Sequence, residues 1–495
     1  MAPLPPGLDR FDHLVVLMLE NRSFDNLLGY LYEHDRPARF IGRGEPAYRG
    51  VAGRSDLANL DSGTPPRRIP VQKAPWQTPR DMINPCPDPG EFYQPHVNHQ
   101  LYGVDQVPGD SSSLPDPAPM SGFVQDYQRA IREELLISGI EPTFEHYSII
   151  MNCFPPEAVP VLSALARQFA VSDEWFGSVP SATFSNRSFL HSGQSHGFVH
   201  NQDFIKWRHN DAPTVFERLT GQLGPGRDWR VYWDHADIYP VTRGLHRSLH
   251  GPEWNGHFVD FKRFADDCRR GDLPAYSFIQ PRVLINHNDM HPPVWLSQKA
   301  QSSILAGEEL VKDVYDAVRT SPAWLRTLLV ITFDEHGGTY DHWPPPRATP
   351  PFATSPWPPE CGFHFDRFGV RVPTIMVSPY IAPGTVVRAP GAVPFDHTSI
   401  IATLSRRFGL APLTDRDRAA PDLGGVHTLG TAEARKETPP VTARPYVPLS
   451  AEEAHDSILS GFQKGFGHLV AHLLGRDHPA EGVTRVRDLV GVLGD

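Results

Sequence analysis

A chain of 495 residues, 40% hydrophobic and 21% charged, has the composition of a folded protein long enough to bury a large core. Its formal net charge of −11 argues against a nucleic-acid binder held by a broad basic field, and against simple electrostatic adhesion to anionic lipid. Four scattered cysteines (Cys86, Cys153, Cys268, Cys361) without CxxC spacing argue against a zinc-thiolate site or a dense disulfide framework and fit a reducing compartment.

The first apolar run, 13–19 (HLVVLML), follows a stretch with neither a basic n-region nor a small-residue cleavage site. It reads as a core strand and not a signal peptide. The expected location is therefore the cytoplasm, with secretion left open if a leader has been removed. No window reaches the 18 apolar residues of a membrane span. The strand runs directly into Glu20-Asn21-Arg22-Ser23-Phe24-Asp25. A carboxylate and an amide at a strand's carboxyl edge can both offer oxygen to a divalent cation; the plain alternative is a polar loop in which Ser23 or Asp25 caps a helix.

Residues 35–90 are rich in Pro, Gly and Arg and read as a long ordered loop. After a helix predicted over 159–169 and a strand over 170–176 comes Ser178-Val179-Pro180-Ser181-Ala182-Thr183-Phe184-Ser185-Asn186-Arg187-Ser188. This segment offers hydroxyl nucleophiles, an amide and a cationic fork able to grip phosphate. By composition it reads as a loop, and it lacks the GxSxG of a nucleophile elbow. Strands are predicted over 229–233 and 275–281, and helices over 258–271 and 303–320. Of the 24 histidines, His291, His96 and His99 lie in proline-marked loops, where a single His is more often structural than catalytic.

The apolar strand 328–333 (LLVITF) runs into Asp334-Glu335-His336-Gly337-Gly338. Adjacent carboxylates after a buried strand are costly unless exposed, hydrogen-bonded or metal-bound, and the glycines permit a sharp exit. A second long loop, 344–359, carries eight prolines. A strand over 373–379 and helices over 397–409 and within 450–475 complete the pattern. Apolar runs of four to six residues alternating with helices predict an α/β fold with a central, mainly parallel sheet flanked by helices, long Pro-rich loop insertions and C-terminal helices. One large domain is expected over 1–445, with 446–495 as a helical extension packed on it.

Taken together and in order, ENRSFD (20–25), NPCPDPG (84–90), SVPSATFSNRSFLHSGQSHG (178–197), NDMHPP (288–293), TFDEHGGTYDHWPPP (332–346), GVRVPTIMVSPYI (369–381) and FDHTSII (395–401) resemble the bacterial phosphoesterase family of phosphatidylcholine-type phospholipases C, related acid phosphatases and plant non-specific phospholipases C. The resemblance runs from about Phe11 to about Asp417. It implies a core similar to alkaline phosphatase and a divalent cation (Mg²⁺, Mn²⁺, Ca²⁺ or Zn²⁺) held by Glu20, Asn21, Asp334 and Glu335. It also implies a nucleophile three residues before the Asn of a TxPNR-like motif. Counting back from Asn186 selects Thr183, itself a metal ligand, over Ser181 and Ser185, with Ser185 standing where the family has Pro. His291 maps to the HP motif as the group that stabilises phosphoryl oxygens or protonates the leaving alcohol. Asn186 is expected to contact phosphate, Arg187 more weakly. Relatives carry a His directly after DPG where this chain has Glu91, so His96 is the substitute for it. The implied activity is phospholipase C-type cleavage of phosphatidylcholine-like lipids through a phosphothreonine. An acid phosphatase acting on small monoesters, or a non-catalytic metal- or phosphate-binding protein, are the alternatives. The expected partner is a phosphate ester, with transient membrane-surface contact and no nucleic acid.

Overall fold

The computed structural model describes residues 4–135, 141–201, 204–293, 302–457, 459, 461–476 and 483–494. Nine strands form its main sheet: β1 (His13–Leu19), β2 (Arg39–Ile41), β3 (Ala170–Ser172), β4 (Trp229–Trp233), β5 (Phe258–Asp260), β6 (Tyr276–Gln280), β7 (Thr327–Phe333), β8 (Thr374–Val377) and β9 (Thr385–Val387). Their spatial order is β5-β4-β6-β1-β7-β8-β3-β9-β2. Every neighbouring pair is parallel except the two made by β8, which runs antiparallel between β7 and β3. The expected mainly parallel sheet is what forms.

The helices that matter here are α1 (Phe24–Leu28), α2 (Pro160–Gln168), α3 (Thr183–Ser192), α4 (Lys262–Arg270), α5 (Ile304–Arg319), α6 (Thr398–Phe408), α7 (Gly461–Leu473) and α8 (Val486–Gly494). They cover a sheet whose central strands β1 and β7 are buried almost end to end, as unbroken apolar runs require. Several expectations need adjustment. The segment 258–271 opens as strand β5 and only then becomes α4. The segment 170–176 breaks after Ser172, and Trp175–Phe176 pairs instead with Phe395–Asp396. The loop 35–90 contributes an edge strand, β2, and a small hairpin, Ala58–Leu60 with Arg68–Pro70. The proline-rich 344–359 forms no helix or strand longer than an isolated bridge at Arg347.

Helices α7 and α8 share a hydrophobic cluster with Phe184, Trp207, Val241, Leu245 and Leu284. None of the four cysteines is joined in a disulfide. Among the described residues no helix is long and apolar enough to cross a membrane.

Candidate active site

Three adjacent parallel strands, β6, β1 and β7, end at the same edge of the sheet, where α/β folds place their ligands. In the β1–β7 ladder Leu19 lies opposite Phe333, so Glu20 and Asp334 leave the sheet side by side. The backbone N–H of Asp334 donates to the Leu19 carbonyl (3.1 Å), and that of Glu20 to the Asp289 carbonyl (2.8 Å), tying in the loop after β6. Asn21 then turns in the left-handed region at φ 59°, a strained conformation for a side-chain-bearing residue. Its N–H donates to Asp334 Oδ1 at 3.2 Å. Gly337 and Gly338 make the opposing turn at φ 58° and 64°. A Cβ on Gly337 would lie 2.4 Å from the Asn21 carbonyl oxygen, so only glycine lets the two turns pack together.

A buried clamp sets these turns against each other. Arg371 reaches Asp25 (3.0 Å) and Asp341 (2.9 Å), and His342 Nδ1 lies 2.6 Å from Asp25. Ser23 caps α1 by accepting from the Asn26 N–H, and donates its own hydroxyl to the Tyr340 carbonyl. The cap anticipated for ENRSFD and its placement at the site thus coexist.

Thr183 is the first residue of α3, and the hydroxyl-rich segment read as a loop is that helix and its approach. Helix N-termini favour negative charge. Thr183 Oγ1 is 3.5 Å from Asn21 Oδ1. Asn186, expected on the phosphate, is spent on the backbone instead: its Nδ2 donates to the carbonyls of Val179, Ser181 and Ala182, and its Oδ1 accepts from the Val179 N–H. It shapes the approach to Thr183. Ser181 Oγ accepts from the Tyr93 N–H, and Ser185 Oγ donates to the Ala182 carbonyl, so neither serine hydroxyl is free. Arg187, one turn beyond Thr183, bridges Glu20 (2.9 Å) and Asp334 (3.1 Å).

His96 is likewise engaged elsewhere. Its Nδ1 is 3.0 Å from Asp126 and its Nε2 3.8 Å from Glu133, and its ring packs so closely on Gly90 that no Cβ fits there. Both ring nitrogens face carboxylates of the helix Phe123–Leu135. The place facing Asn21 is taken by Glu91 itself, whose Oε2 accepts from Asn21 Nδ2. The unusual residue after DPG was the available signal, but 70 residues separate it from Asn21, and only folding joins them.

His291 Nδ1 lies 2.6 Å from the Pro292 carbonyl and therefore donates to it. Its Nε2 then carries a lone pair, turned toward Asn21 Nδ2 at 3.0 Å. With both Asn21 amide hydrogens directed at Glu91 and His291, Asn21 Oδ1 is left facing Thr183. The preceding Asp289 accepts the His291 N–H at 2.9 Å and fixes the loop.

Burial and mutual repulsion dominate the electrostatics. The carboxyls of Glu20, Glu91 and Glu335 are pushed well above the usual range, first by burial, and Asp334 is raised by burial against the pull of Arg187. His291 is pushed down to about 4 by burial. His397, also depressed to about 4 by burial, lies 2.6 Å from the Asp334 carbonyl and braces the end of β7. Glu335 is 2% exposed; its Oε2 accepts from the Gly337 N–H, whereas its Oε1 has no partner. A buried carboxylate oxygen without a donor, amid carboxylates that outnumber the one bridging guanidinium, fits a cation. Among the described residues, carboxylate and histidine groups close enough to hold a metal meet at Asp88, Glu91 and His291, and also at Asp25, Asp341 and His342. In the second group Arg371 already bridges both carboxylates.

Residues 11–411 match the Phosphoesterase family. Non-specific phospholipase C5 of Arabidopsis thaliana is 32% identical over 93% of this chain and 82% of its own length. Non-specific phospholipase C4 of the same plant is 34% identical over 93% and 80%. Phospholipase C B of Mycobacterium tuberculosis (strain ATCC 25618 / H37Rv) is 25% identical over 83% and 75%. Among solved structures, the lipoteichoic acid synthase LtaP from Listeria monocytogenes covers 54% of this chain and 69% of its own at 13% identity, with a TM-score of 0.32. A family match over four-fifths of the sequence, with relatives above 30% identity along nearly all of it, establishes that this chain belongs to the Phosphoesterase family.

Proposed function

We propose that this chain is a phospholipase C-type hydrolase that cleaves the glycerol-side phosphodiester bond of phosphatidylcholine-like lipids, with Thr183 as nucleophile and one divalent cation held by Glu20, Asn21, Asp334 and Glu335. The observation that carries this reading is the Thr183 hydroxyl, placed at a helix N-terminus against Asn21 Oδ1 within a buried nest of carboxylates. The names of the plant and bacterial relatives supply the substrate class.

A bound cation would supply positive charge to the phosphoryl oxygens and favour the Thr183 alkoxide. Oxygen donors suit Mg²⁺, Mn²⁺ or Ca²⁺, and Zn²⁺ also accepts carboxylates. The Thr183 hydroxyl gives up its proton to solvent as Oγ1 bonds to phosphorus and the bond from phosphorus to the diacylglycerol oxygen breaks, leaving a phosphothreonine that carries the head group. The N-terminus of α3 favours the charge on the attacked phosphoryl group. Arg187 keeps Glu20 and Asp334 in place. His291, once protonated at Nε2 beside the anionic phosphate, donates to a phosphoryl oxygen or to the departing alcohol. Water then attacks phosphorus from the vacated side, restores the Thr183 hydroxyl and frees the phosphorylated head group.

The test is product analysis with phosphatidylcholine vesicles, paired with turnover of p-nitrophenylphosphorylcholine against p-nitrophenyl phosphate in the presence of each metal. Diacylglycerol and phosphocholine are expected. Inorganic phosphate from the monoester with no diester turnover would make the chain a phosphomonoesterase. Cation binding without turnover of either compound would make it a binding protein.

A further inference from the structure

His291 owes its place to an irregular turn. The residue before it, Met290, is fully buried and stands in the left-handed region at φ 75°, a conformation that a side-chain-bearing residue keeps only where its surroundings impose it. The peptide that joins Met290 to His291 is held at both ends. Arg22 Nε donates to its carbonyl at 2.8 Å, and Asp289 Oδ1 accepts its N–H at 2.9 Å. The Ser302 hydroxyl donates to that same Asp289 oxygen at 3.2 Å. Behind the other oxygen stands His287, a buried imidazole that the mechanism above does not use. Its proton can be placed. Gln463 Nε2 is 2.9 Å from the Leu284 carbonyl, which only accepts, so this atom is the donating amide nitrogen. The same nitrogen is 2.7 Å from His287 Nε2, which therefore accepts. A neutral His287 then carries its hydrogen on Nδ1. That atom lies 3.1 Å from Asp289 Oδ2, off the line of an ideal hydrogen bond but with its positive end on the carboxylate side.

We propose that His287 is a positioning residue: through Asp289 it fixes the Met290–His291 peptide and so aims His291 Nε2 at the departing alcohol. This rests on the function proposed above in taking His291 as a proton donor, and deepens it by sending that proton to the leaving oxygen and not to a phosphoryl oxygen. Asp289 Oδ1 is engaged by His291 and Ser302, whereas among the described residues Oδ2 faces only His287. Without the imidazole the carboxylate is free to turn about its own side-chain bonds, and the peptide loses one of its two holds. Asp289 also accepts the Glu20 N–H on its carbonyl at 2.8 Å, so the residue that His287 steadies sets the distance between the His291 loop and the end of β1. A reacting group displaced by about 1 Å can lose on the order of a hundredfold in rate.

The experiment compares kcat/KM for dihexanoylphosphatidylcholine and for p-nitrophenylphosphorylcholine, with Mn²⁺ present, in the full chain and its His291→Ala, His287→Ala and His287→Asn variants. This ratio reports the step in which the alcohol departs. The diacylglycerol oxygen needs a proton at that step, and p-nitrophenolate does not. His291→Ala should lose about a hundredfold or more on the lipid and far less on the nitrophenyl ester. His287→Ala should show the same asymmetry on a smaller scale, about tenfold against about twofold. His287→Asn, which keeps an N–H near the place of Nδ1, should recover most of that loss. If the alanine variant does not fold, His287→Gln fills the space without that N–H and carries the comparison. Wild-type rates on the lipid without His287, or an equal loss on both substrates beside an asymmetric His291→Ala, overturn the positioning role and leave the proposed function standing. A His291→Ala chain that shows no asymmetry overturns the proton donation to the leaving oxygen, and this inference with it.

Discussion

Around Thr183 the hydroxyls of Ser181 and Ser185 and the amide of Asn186 already have partners, and this makes the single-residue predictions sharp. Thr183→Ala removes the attacking atom and should lower turnover by roughly a thousandfold or more, with cation content preserved. Thr183→Ser keeps the hydroxyl and should retain measurable activity. Ser181→Ala loses only the acceptor for the Tyr93 N–H, which should cost about 1–2 kcal/mol of stability and little rate. Steady-state kinetics and denaturant unfolding on the three variants check this. A dead Ser181→Ala beside an active Thr183→Ala would move the nucleophile by two residues. Arg187 makes a different kind of claim, since its guanidinium joins Glu20 and Asp334 at 2% exposure. Arg187→Met leaves two buried carboxylates uncompensated and should destabilise the metal-free protein by about 3–5 kcal/mol. Divalent cation should restore a good part of that loss, because it supplies the missing charge. A metal-free melting temperature equal to that of the wild type would show that Arg187 is not the internal counter-charge.

At the scale of elements, helix α2 begins with Pro160, and the N–H groups of Val161 and Leu162 in its first turn have no intrahelical acceptor. Both donate to Glu308, a buried carboxylate on α5, at 2.6 and 2.9 Å. Burial pushes Glu308 up from 4.5 to about 8 against the pull of those bonds. An acid whose folded pKa is raised holds its proton in the native state after the unfolded chain has released it. Its contribution is therefore full below the unfolded value and is lost as pH rises through about 8. Glu308→Gln does not titrate and should be less stable than wild type by about 1–3 kcal/mol at pH 5. That gap should narrow steadily toward pH 9 in thermal unfolding. A gap independent of pH would mean that Glu308 ionises normally and acts only as a helix cap.

Over the whole molecule, helix α7 reaches the candidate site from the C-terminal part of the chain. Phe184, which follows Thr183, packs edge-on against Phe462 and Phe466 of α7. Gln463 donates to the Leu284 carbonyl at 2.9 Å and lies 2.7 Å from His287, whose Nδ1 is 3.1 Å from Asp289. Helix α7 thus touches both the segment that carries Thr183 and the loop that carries His291. Phe466→Ala empties the centre of that aromatic cluster and should cost about 3–5 kcal/mol. It should also lower kcat while leaving cation stoichiometry unchanged, because no proposed ligand lies on α7. Unchanged kcat at a reduced melting temperature would reduce the C-terminal helices to packing alone.

Strands β1 and β7 were legible from the amino acids, because unbroken apolar runs ending abruptly in Glu20-Asn21 and Asp334-Glu335 leave a buried parallel strand as the simplest reading. The glycine pair at 337–338 was legible for the same reason: a sharp exit from a buried strand needs backbone freedom. The helix that begins at Thr183 was not. All ten of its residues are buried, so it presents no apolar stripe against a polar face, and its Ser/Thr/Asn content favours a loop as readily. The roles of Asn186 and His96 were likewise decided in three dimensions, by carbonyls and carboxylates that captured their polar atoms before any substrate could. Sequence alone determined the family, the parallel core and the edge at which the site forms, since these follow from local patterning and ordered motifs. Tertiary structure alone decided that Glu91 meets Asn21 and His291, because a contact across 70 and 200 residues depends on where loops land and leaves no periodicity in the chain.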